Sequence, residues 1–375
     1  MEVSSSLGEG EISEKLGVIN CSLKFSSKKM SEFMRSAGYS VGIVGATGAV
    51  GLEVVSCLHR RSFPLSSLKL FASARSSGKI ISTEYGDLIV EEFTVEEARK
   101  CQYVFLAVSG DFALQYGREI SAGVGPYVID NSSAFRYMPE IPLVVPEINS
   151  HMLTKDTKLI ANPNCTTAIA AVALYPLHVQ FKIKKIIMST YQAASGAGAE
   201  GMEELLQGTA AKIKGEEYPN NIFAHPLPFN LIPHIDKFQD NGYTKEEMKV
   251  VWETLKIFEL TGEQCKVSCT AVRIPIMRAH SESITIETEK PITAEKAREI
   301  LAETPGVRLV DDPACNQYPM PLNATNSFDV EVGRIRESLI FAPNGLDLFV
   351  SGDQLLRGAA LNAVLIAEKI LSNNL

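Results

Sequence analysis

No stretch of this chain reaches the roughly 20 consecutive apolar residues that cross a bilayer. It has no dense run of Lys or Arg, and its formal net charge is −8. Phosphate-rich polymers and anionic lipid surfaces favour basic faces, so neither a nucleic-acid nor a membrane partner is expected. Small anions are not excluded, because a few local arginines bind them whatever the net charge. The seven cysteines (Cys21, Cys57, Cys101, Cys165, Cys265, Cys269 and Cys315) are odd in number and scattered. That is not a disulfide framework, and a reducing compartment fits better. Cys265 and Cys269 stand four apart with no matching His or Cys pair nearby, so no metal site is expected.

What is present is ordinary for a folded protein: 45% hydrophobic and 21% charged residues. A chain of 375 residues exceeds one domain of about 100–200. Residues 1–37 read as an N-terminal extension expected to lack order. They are rich in Ser and Lys, have no apolar core for a secretory signal, and carry Glu2, Glu9, Glu11, Glu14 and Glu32. Transit peptides are usually poor in acids. A start at Met30, close to the first strand, is the competing reading. The expected compartment is the cytoplasm, or the plastid if the extension is a transit peptide.

From Tyr39 to Asn131, apolar runs alternate with helical spacing. Tyr39–Gly45, Leu68–Ser73, Tyr103–Ser109 and Tyr127–Asn131 read as strands; Ala49–Arg61, Val95–Cys101 and Phe112–Ile120 read as helices. This alternation predicts a parallel sheet covered on both faces, with ligands at the strands' carboxyl ends. After Asn162 the pattern changes. Ile186–Ala193, Lys266–Ile276 and Ser283–Glu289 read as longer strands, the last alternating Ile284, Ile286 and Thr288 against Thr285, Glu287 and Glu289. Such alternation suggests an antiparallel sheet with one wetter face. Helices are expected at Thr166–Leu177, Ala199–Ile213, Lys245–Leu260 and Ala294–Glu303. A strand at Leu346–Ser351 precedes a last helix, Gln354–Ile370, expected to pack back on the first domain.

Gly45-Ala46-Thr47-Gly48-Ala49-Val50-Gly51 lies between a strand and a helix. Glycines there let the backbone approach a pyrophosphate, and the helix N-terminus supplies N–H donors. The second strand ends without the Asp or Glu that binds NAD's ribose. It offers Ser73, Arg75, Ser76 and Lys79 instead, which suit a 2′-phosphate, so NADP is favoured over NAD. A solvated basic loop is the alternative.

The segment Leu159-Ile160-Ala161-Asn162-Pro163-Asn164-Cys165-Thr166-Thr167 runs from strand to turn to helix. It places Cys165 at or just before a helix N-terminus, where the dipole favours thiolate over thiol. That is a nucleophile's position; a small buried cysteine under a helix cap competes with it. Arg273-Ile274-Pro275-Ile276-Met277-Arg278-Ala279-His280 sets an acid/base candidate beside two arginines able to grip a carboxylate. Gln192 ends a strand and enters the small-residue loop Ala193-Ala194-Ser195-Gly196-Ala197-Gly198, which leaves room for a flat ring or simply begins a helix. Asp130-Asn131-Ser132-Ser133-Ala134-Phe135-Arg136 offers an anion site at another strand end.

Taken together, GATGAVG, SARSSGK, DNSSAFR, NPNCTT, STYQAASGAG, RIPIMRAHSE and GDQLLRGAALNA resemble the aspartate-β-semialdehyde dehydrogenase family, from about Tyr39 to the C-terminus. The resemblance implies an α/β protein: a Rossmann-type NADP-binding domain (38–164, with the 353–375 helix packing back on it) and a mixed α/β dimerisation and catalytic domain (165–352). It implies a homodimer and no metal. Cys165 matches the acyl-forming cysteine, His280 the acid/base, and Gln192 the substrate-orienting glutamine. Arg273 matches the carboxylate ligand and Glu246 the amine ligand. Arg136 and Lys249 match the phosphate ligands. Gly45, Thr47, Gly48, Ala49, Val50, Gly51, Ser73, Arg75, Ser76, Ser195, Gly196 and Gln354 match cofactor contacts. Glu246 and Lys249, three apart, would share one helix face. The family's usual Cys-Ser-Thr is here Cys165-Thr166-Thr167, a conservative change in capping hydroxyl.

The implied reaction is reductive dephosphorylation of L-4-aspartyl phosphate to L-aspartate 4-semialdehyde, reversible through a Cys165 thioacyl enzyme. It serves lysine, threonine and methionine biosynthesis, with diaminopimelate and isoleucine downstream. The nearest rival is another acyl-phosphate reductase, such as one acting on N-acetylglutamyl phosphate. A non-catalytic NADP-binding relative is the reading from a different class.

Overall fold

The computed structural model describes residues 38–373; the N-terminal extension, with Cys21 and Met30, lies outside the described residues. Seven strands form the first sheet: β1 Tyr39–Val44, β2 Leu65–Ala72, β3 Ile80–Thr83, β4 Gly86–Glu92, β5 Tyr103–Leu106, β6 Tyr127–Asp130 and β7 Leu159–Ala161. Their order is β3-β4-β2-β1-β5-β6-β7. All pairings are parallel except that of β3 with β4. The parallel sheet is the one that the alternating apolar runs predict. Strands β5, β6 and β7 are short, nearly continuous apolar runs (YVFL, YVID and LIA) and almost wholly buried, as expected where both faces of a parallel sheet are covered. The β3–β4 hairpin and the short strand β7's pairing beside β6 extend it on either side.

The second sheet has six strands: β8 Ile183–Gln192, β9 Lys266–Arg273, β10 His280–Thr288, β11 Val307–Leu309, β12 Val330–Glu337 and β13 Gly345–Gly352. The order is β11-β12-β13-β10-β8-β9. It is mixed: β8–β9 and β11–β12 pair in parallel, the others antiparallel. On β10, Ile284, Ile286 and Thr288 are buried, while Thr285 and Glu287 are half-buried, which is the alternation the sequence carries.

The helix Cys165–Phe181 is apolar on every side, so it must be buried all round. Its Ile169, Val172 and Leu174 share one core with Ile284 and Ile286 of β10 and with Val350 of β13. The helix Leu361–Ser372 returns to the first sheet, where Val364, Ile366 and Ile370 join Val41 and Ile43 in a second core. Among the described residues, no helix is long and apolar enough to cross a membrane. No cluster of three or more His, Cys, Asp or Glu side chains among them could hold a metal ion.

Candidate active site

Asn164 is the N-cap of the Cys165–Phe181 helix, and its side-chain oxygen accepts from Thr166 N at 3.0 Å and Thr167 N at 3.3 Å. The sequence reading gave the capping role to the Thr hydroxyls. Both are instead buried without a partner. The reason is positional: a cap must precede the first turn, and only Asn164 does. Cys165 is therefore the first helical residue, half-buried at the edge of a cleft of about 420 Å³.

The helix start does not make Cys165 a resting thiolate. Burial, and after it the nearby Glu246 carboxylate, push its thiol up to about 11 against the opposing charges of Arg136 and Lys249. Glu246 is itself firmly ionised. Burial opposes its charge, but Lys249 and hydrogen bonds from Lys249, Asn164 and Gln192 outweigh that and draw it down to about 2. Lys249 Nζ donates to Glu246 Oε2 and to Asp236 Oδ2, each at 2.8 Å. Asn164 Nδ2 and Gln192 Nε2 donate to Glu246 Oε1 at 3.0 and 3.2 Å. Glu246 and Lys249 share a face of the helix Lys245–Ile257, which opens with a Thr244–Glu247 capping box.

His280 is fully buried behind the cleft wall. Its Nδ1 accepts from Ala193 N at 3.0 Å, which assigns the remaining proton to Nε2, 3.4 Å from Gln192 Nε2. Burial, then the Arg273 guanidinium, lowers its pKa to about 3, so the ring is neutral at pH 7. Arg273 Nη1 donates to Ala193 O at 2.5 Å. Gly196 lines the cleft with Arg273 and packs against both groups: a Cβ there would lie 2.8 Å from Arg273 Nη1 and 3.4 Å from His280 Nε2. A side chain at position 196 would therefore crowd both the guanidinium and the imidazole.

Arg136 is buried, and all of its nitrogens are engaged. Nε donates to Asn162 O at 2.8 Å, Nη1 to Glu253 Oε1 at 3.0 Å, and Nη2 to Asn131 O at 2.7 Å. Sequence reasoning missed Glu253, Asp236 and Asn164. Glu253 is fully buried, and besides Arg136 it receives Asn164 N at 2.5 Å and Tyr137 Oη at 3.2 Å. Its only sequence signal is a seven-residue step from Glu246 along one amphipathic helix.

The glycine loop follows β1. Gly45 has φ +83°, and a Cβ there would lie 2.2 Å from Ala107 O; one on Gly51 would lie 2.4 Å from Gly45 O. The helix Ala49–Arg60 begins at Gly48 with no side-chain cap. Thr47 and Gly48, at the start of that helix, are exposed. Backbone donors with no side chain over them fit a pyrophosphate. Ser73, Arg75 and Ser76 follow β2, the strand beside β1; Ser73 and Arg75 are exposed and Ser76 is buried. They do not line the cleft at Cys165, whereas Val50, Ser195, Gly196 and Gln354 do.

Two family models match the chain: a semialdehyde dehydrogenase NAD binding domain over residues 40–156 and a semialdehyde dehydrogenase dimerisation domain over residues 174–357. An aspartate-semialdehyde dehydrogenase of Synechocystis sp. is 46% identical over 88% of this chain and 97% of the relative. The chain belongs to the aspartate-semialdehyde dehydrogenase family. The Bacillus subtilis member is 43% identical over 90% of this chain and 99% of its own. Aspartate semialdehyde dehydrogenase II of Vibrio cholerae, crystallised in complex with ASA, superimposes with a TM-score of 0.86 at 38% identity, covering 90% of this chain and 99% of that one. Family membership makes the chain an oxidoreductase with a nicotinamide-dinucleotide-binding domain and a dimerisation domain.

Proposed function

We propose that this chain interconverts L-4-aspartyl phosphate and L-aspartate 4-semialdehyde, with NADP as cofactor and Cys165 as the acyl carrier. The observation that carries the reading is convergence: Val50 of the glycine loop, Cys165, Gln192, Arg273, Glu246 and Lys249 border one cleft. The NADP would lie along Gly45–Gly51, with Ser73, Arg75 and Ser76 toward its 2′-phosphate and Ser195, Gly196 and Gln354 toward its nicotinamide. When bound, the nicotinamide supplies or accepts the hydride.

In the aldehyde-forming direction, Cys165 Sγ loses its proton and attacks the acyl carbon, the proton departing on the phosphate. The carbon–oxygen bond to phosphate breaks, and phosphate leaves with that electron pair toward Arg136 and Lys249. The thioester divides one hard step into two easier ones. The His280 Nε2–H faces the oxygen that gains charge in each tetrahedral species and stabilises it. Hydride addition to the thioester carbon would give a hemithioacetal; as it collapses, the carbon–sulfur bond breaks, the sulfur leaves with that electron pair and the aldehyde carbonyl re-forms. Arg273 holds the substrate carboxylate and Gln192 orients the reacting group.

Glu246 and Asp236 favour a substrate with a free ammonium group. That separates this reading from a reductase of N-acetylated acyl phosphates. An ammonium paired with Glu246 also offsets the charge that holds Cys165 protonated, so substrate arrival promotes thiolate formation. The outer face of the second sheet carries Ile187, Tyr191 and Phe349, which supports a homodimer through the 165–352 unit. The location proposed is the cytoplasm.

The test is phosphate-dependent NADP reduction with aspartate semialdehyde, compared with N-acetylglutamate semialdehyde and with a Cys165→Ala variant. Turnover with aspartate semialdehyde, lost in the variant, is expected. Normal turnover of the variant would overturn the scheme.

A further inference from the structure

Arg278 has no part in the chemistry above, yet it joins two elements that bear on it. Its Nε donates to Asp353 Oδ2 at 2.7 Å, and its Nη1 donates to Glu53 Oε1 at 2.5 Å. Glu53 stands in the helix Ala49–Arg60, just beyond the glycine loop. Asp353 is fully buried, precedes Gln354, and also accepts from Asn326 N at 2.7 Å and Leu355 N at 3.0 Å. The guanidinium therefore bridges the cofactor helix and a carboxylate fixed by backbone donors.

The next residue along the chain is Ala279, and His280 follows it. Ala279 has φ +70°, the left-handed region that an L side chain adopts only at a steric cost. Such a conformation persists where its surroundings over-determine it. Here Ala279 N donates to Gln354 Oε1 at 2.8 Å, and Gln354 Nε2 donates to Ser195 Oγ. On the other side of the kink, Ala193 N holds His280 Nδ1. Arg278 leaves its own Nη2 buried without a partner. An unmet donor opposes stability, so stability alone does not explain this side chain.

We propose that Arg278 is a positioning residue for His280: its fork to Asp353 and Glu53 holds the left-handed turn at Ala279 and ties the imidazole to the cofactor helix. The proposal rests on the roles given above to His280 and Cys165. It makes a glycine at 279 informative, because glycine takes positive φ without cost. If Arg278 acts by holding the turn, removing the need for restraint should recover part of what its loss removes.

The experiment measures kcat, the KM for NADP, and the melting midpoint for wild type, Arg278→Lys, Glu53→Gln, Ala279→Gly, the double variant R278K/A279G, and Cys165→Ala. Arg278→Lys should lower kcat about 10-fold to 100-fold, the scale of a 1 Å misplacement. The KM for NADP should stay within about twofold, since Arg278 sits beyond the loop. R278K/A279G should recover at least about threefold of that kcat. Glu53→Gln keeps the acceptor and should lose less than Arg278→Lys. A kcat unchanged in Arg278→Lys overturns the proposal. So does a fall that glycine leaves unrescued while the melting midpoint drops, which is a purely structural role. Cys165→Ala separates the two readings: if it keeps turnover, the mechanism itself fails, whereas an inactive Cys165→Ala beside a normal Arg278→Lys sinks only this inference.

Discussion

Gly358 packs directly on Cys165: a Cβ at 358 would lie 2.5 Å from Cys165 Cβ and 2.8 Å from its Cα. The residue belongs to the helical turn Leu356–Ala360, where alanine would ordinarily be preferred by about 1 kcal/mol. Here that gain cannot be realised, because the nearest atoms belong to the helix start and cannot swing aside. Gly358→Ala should therefore be no more stable than wild type. It should lose at least about tenfold in kcat as the nucleophile is pushed out of line. Steady-state kinetics with a thermal melt check both halves; a more stable, fully active variant would contradict the packing.

The electrostatics at Cys165 predict an unusual separation of reactivity from turnover. Burial and then Glu246 raise the thiol to about 11. In Glu246→Gln the second cause disappears, so the thiol pKa falls while remaining above its ordinary value, because burial persists. Alkylation by iodoacetamide, followed against pH, should show its midpoint moved downward. Turnover should fall, since the proposed ammonium ligand is gone. An unmoved midpoint would mean that Glu246 does not act on the sulfur.

Much of this site was legible in the sequence because each chemical group sits where a strand meets a turn. Cys165 is the fourth residue after the strand Leu159–Ala161, Gln192 ends β8, and Arg273 ends β9. Strand ends announce themselves through apolar runs closed by Gly, Pro or Asn. His280 differs: it falls between the expected strands Lys266–Ile276 and Ser283–Glu289 but begins β10, because Pro275 stops β9 early and the left-handed Ala279 starts a new direction. The hairpin β3–β4 was missed, since Ile80 and Ile89 face solvent and break the inside–outside rule. Strand β12 was missed for another reason. Its register shifts between Gly333 and Arg336, and Arg334 has φ +55°, which spoils the alternation. Expected helix Val95–Cys101 shrinks to a single turn, Val95–Ala98. Glu253 and Asp236 carry no motif of their own. Their importance arises only when folding sets them against Arg136 and Lys249.

His280 makes the fold sensitive to acid. Burial, with Arg273, lowers its pKa from 6.5 in the free side chain to about 3. The unfolded chain therefore takes up a proton that the folded one refuses. The stability tied to neutral His280 is present above about 6.5 and is lost as pH falls toward about 3. The slope from this one group is at most about 1.4 kcal/mol per pH unit. Urea unfolding between pH 6.5 and 4 should show stability falling with pH in wild type, and falling less steeply in His280→Asn. Parallel curves would show that the imidazole is not held neutral.

β2, which pairs with β1, ends in Ala72, and the turn Ala74–Ser76 that follows holds Arg75 exposed. An NAD enzyme would place a carboxylate here for the ribose hydroxyls. With a guanidinium in its place, the 2′-phosphate of NADP, the proposed coenzyme, would gain a charge-assisted hydrogen bond of roughly 1.5–3 kcal/mol. At about 1.4 kcal/mol for each factor of ten, Arg75→Ala should raise the KM for NADP by about 10-fold to 100-fold. The KM for NAD should stay within about twofold, because NAD has no phosphate to lose contact with. The same substitution leaves Cys165 and His280 untouched, so kcat at saturating NADP should be unchanged. Equal losses with both coenzymes would assign Arg75 to the loop's shape rather than to the 2′-phosphate, and an unchanged KM for NADP would remove it from the cofactor site altogether.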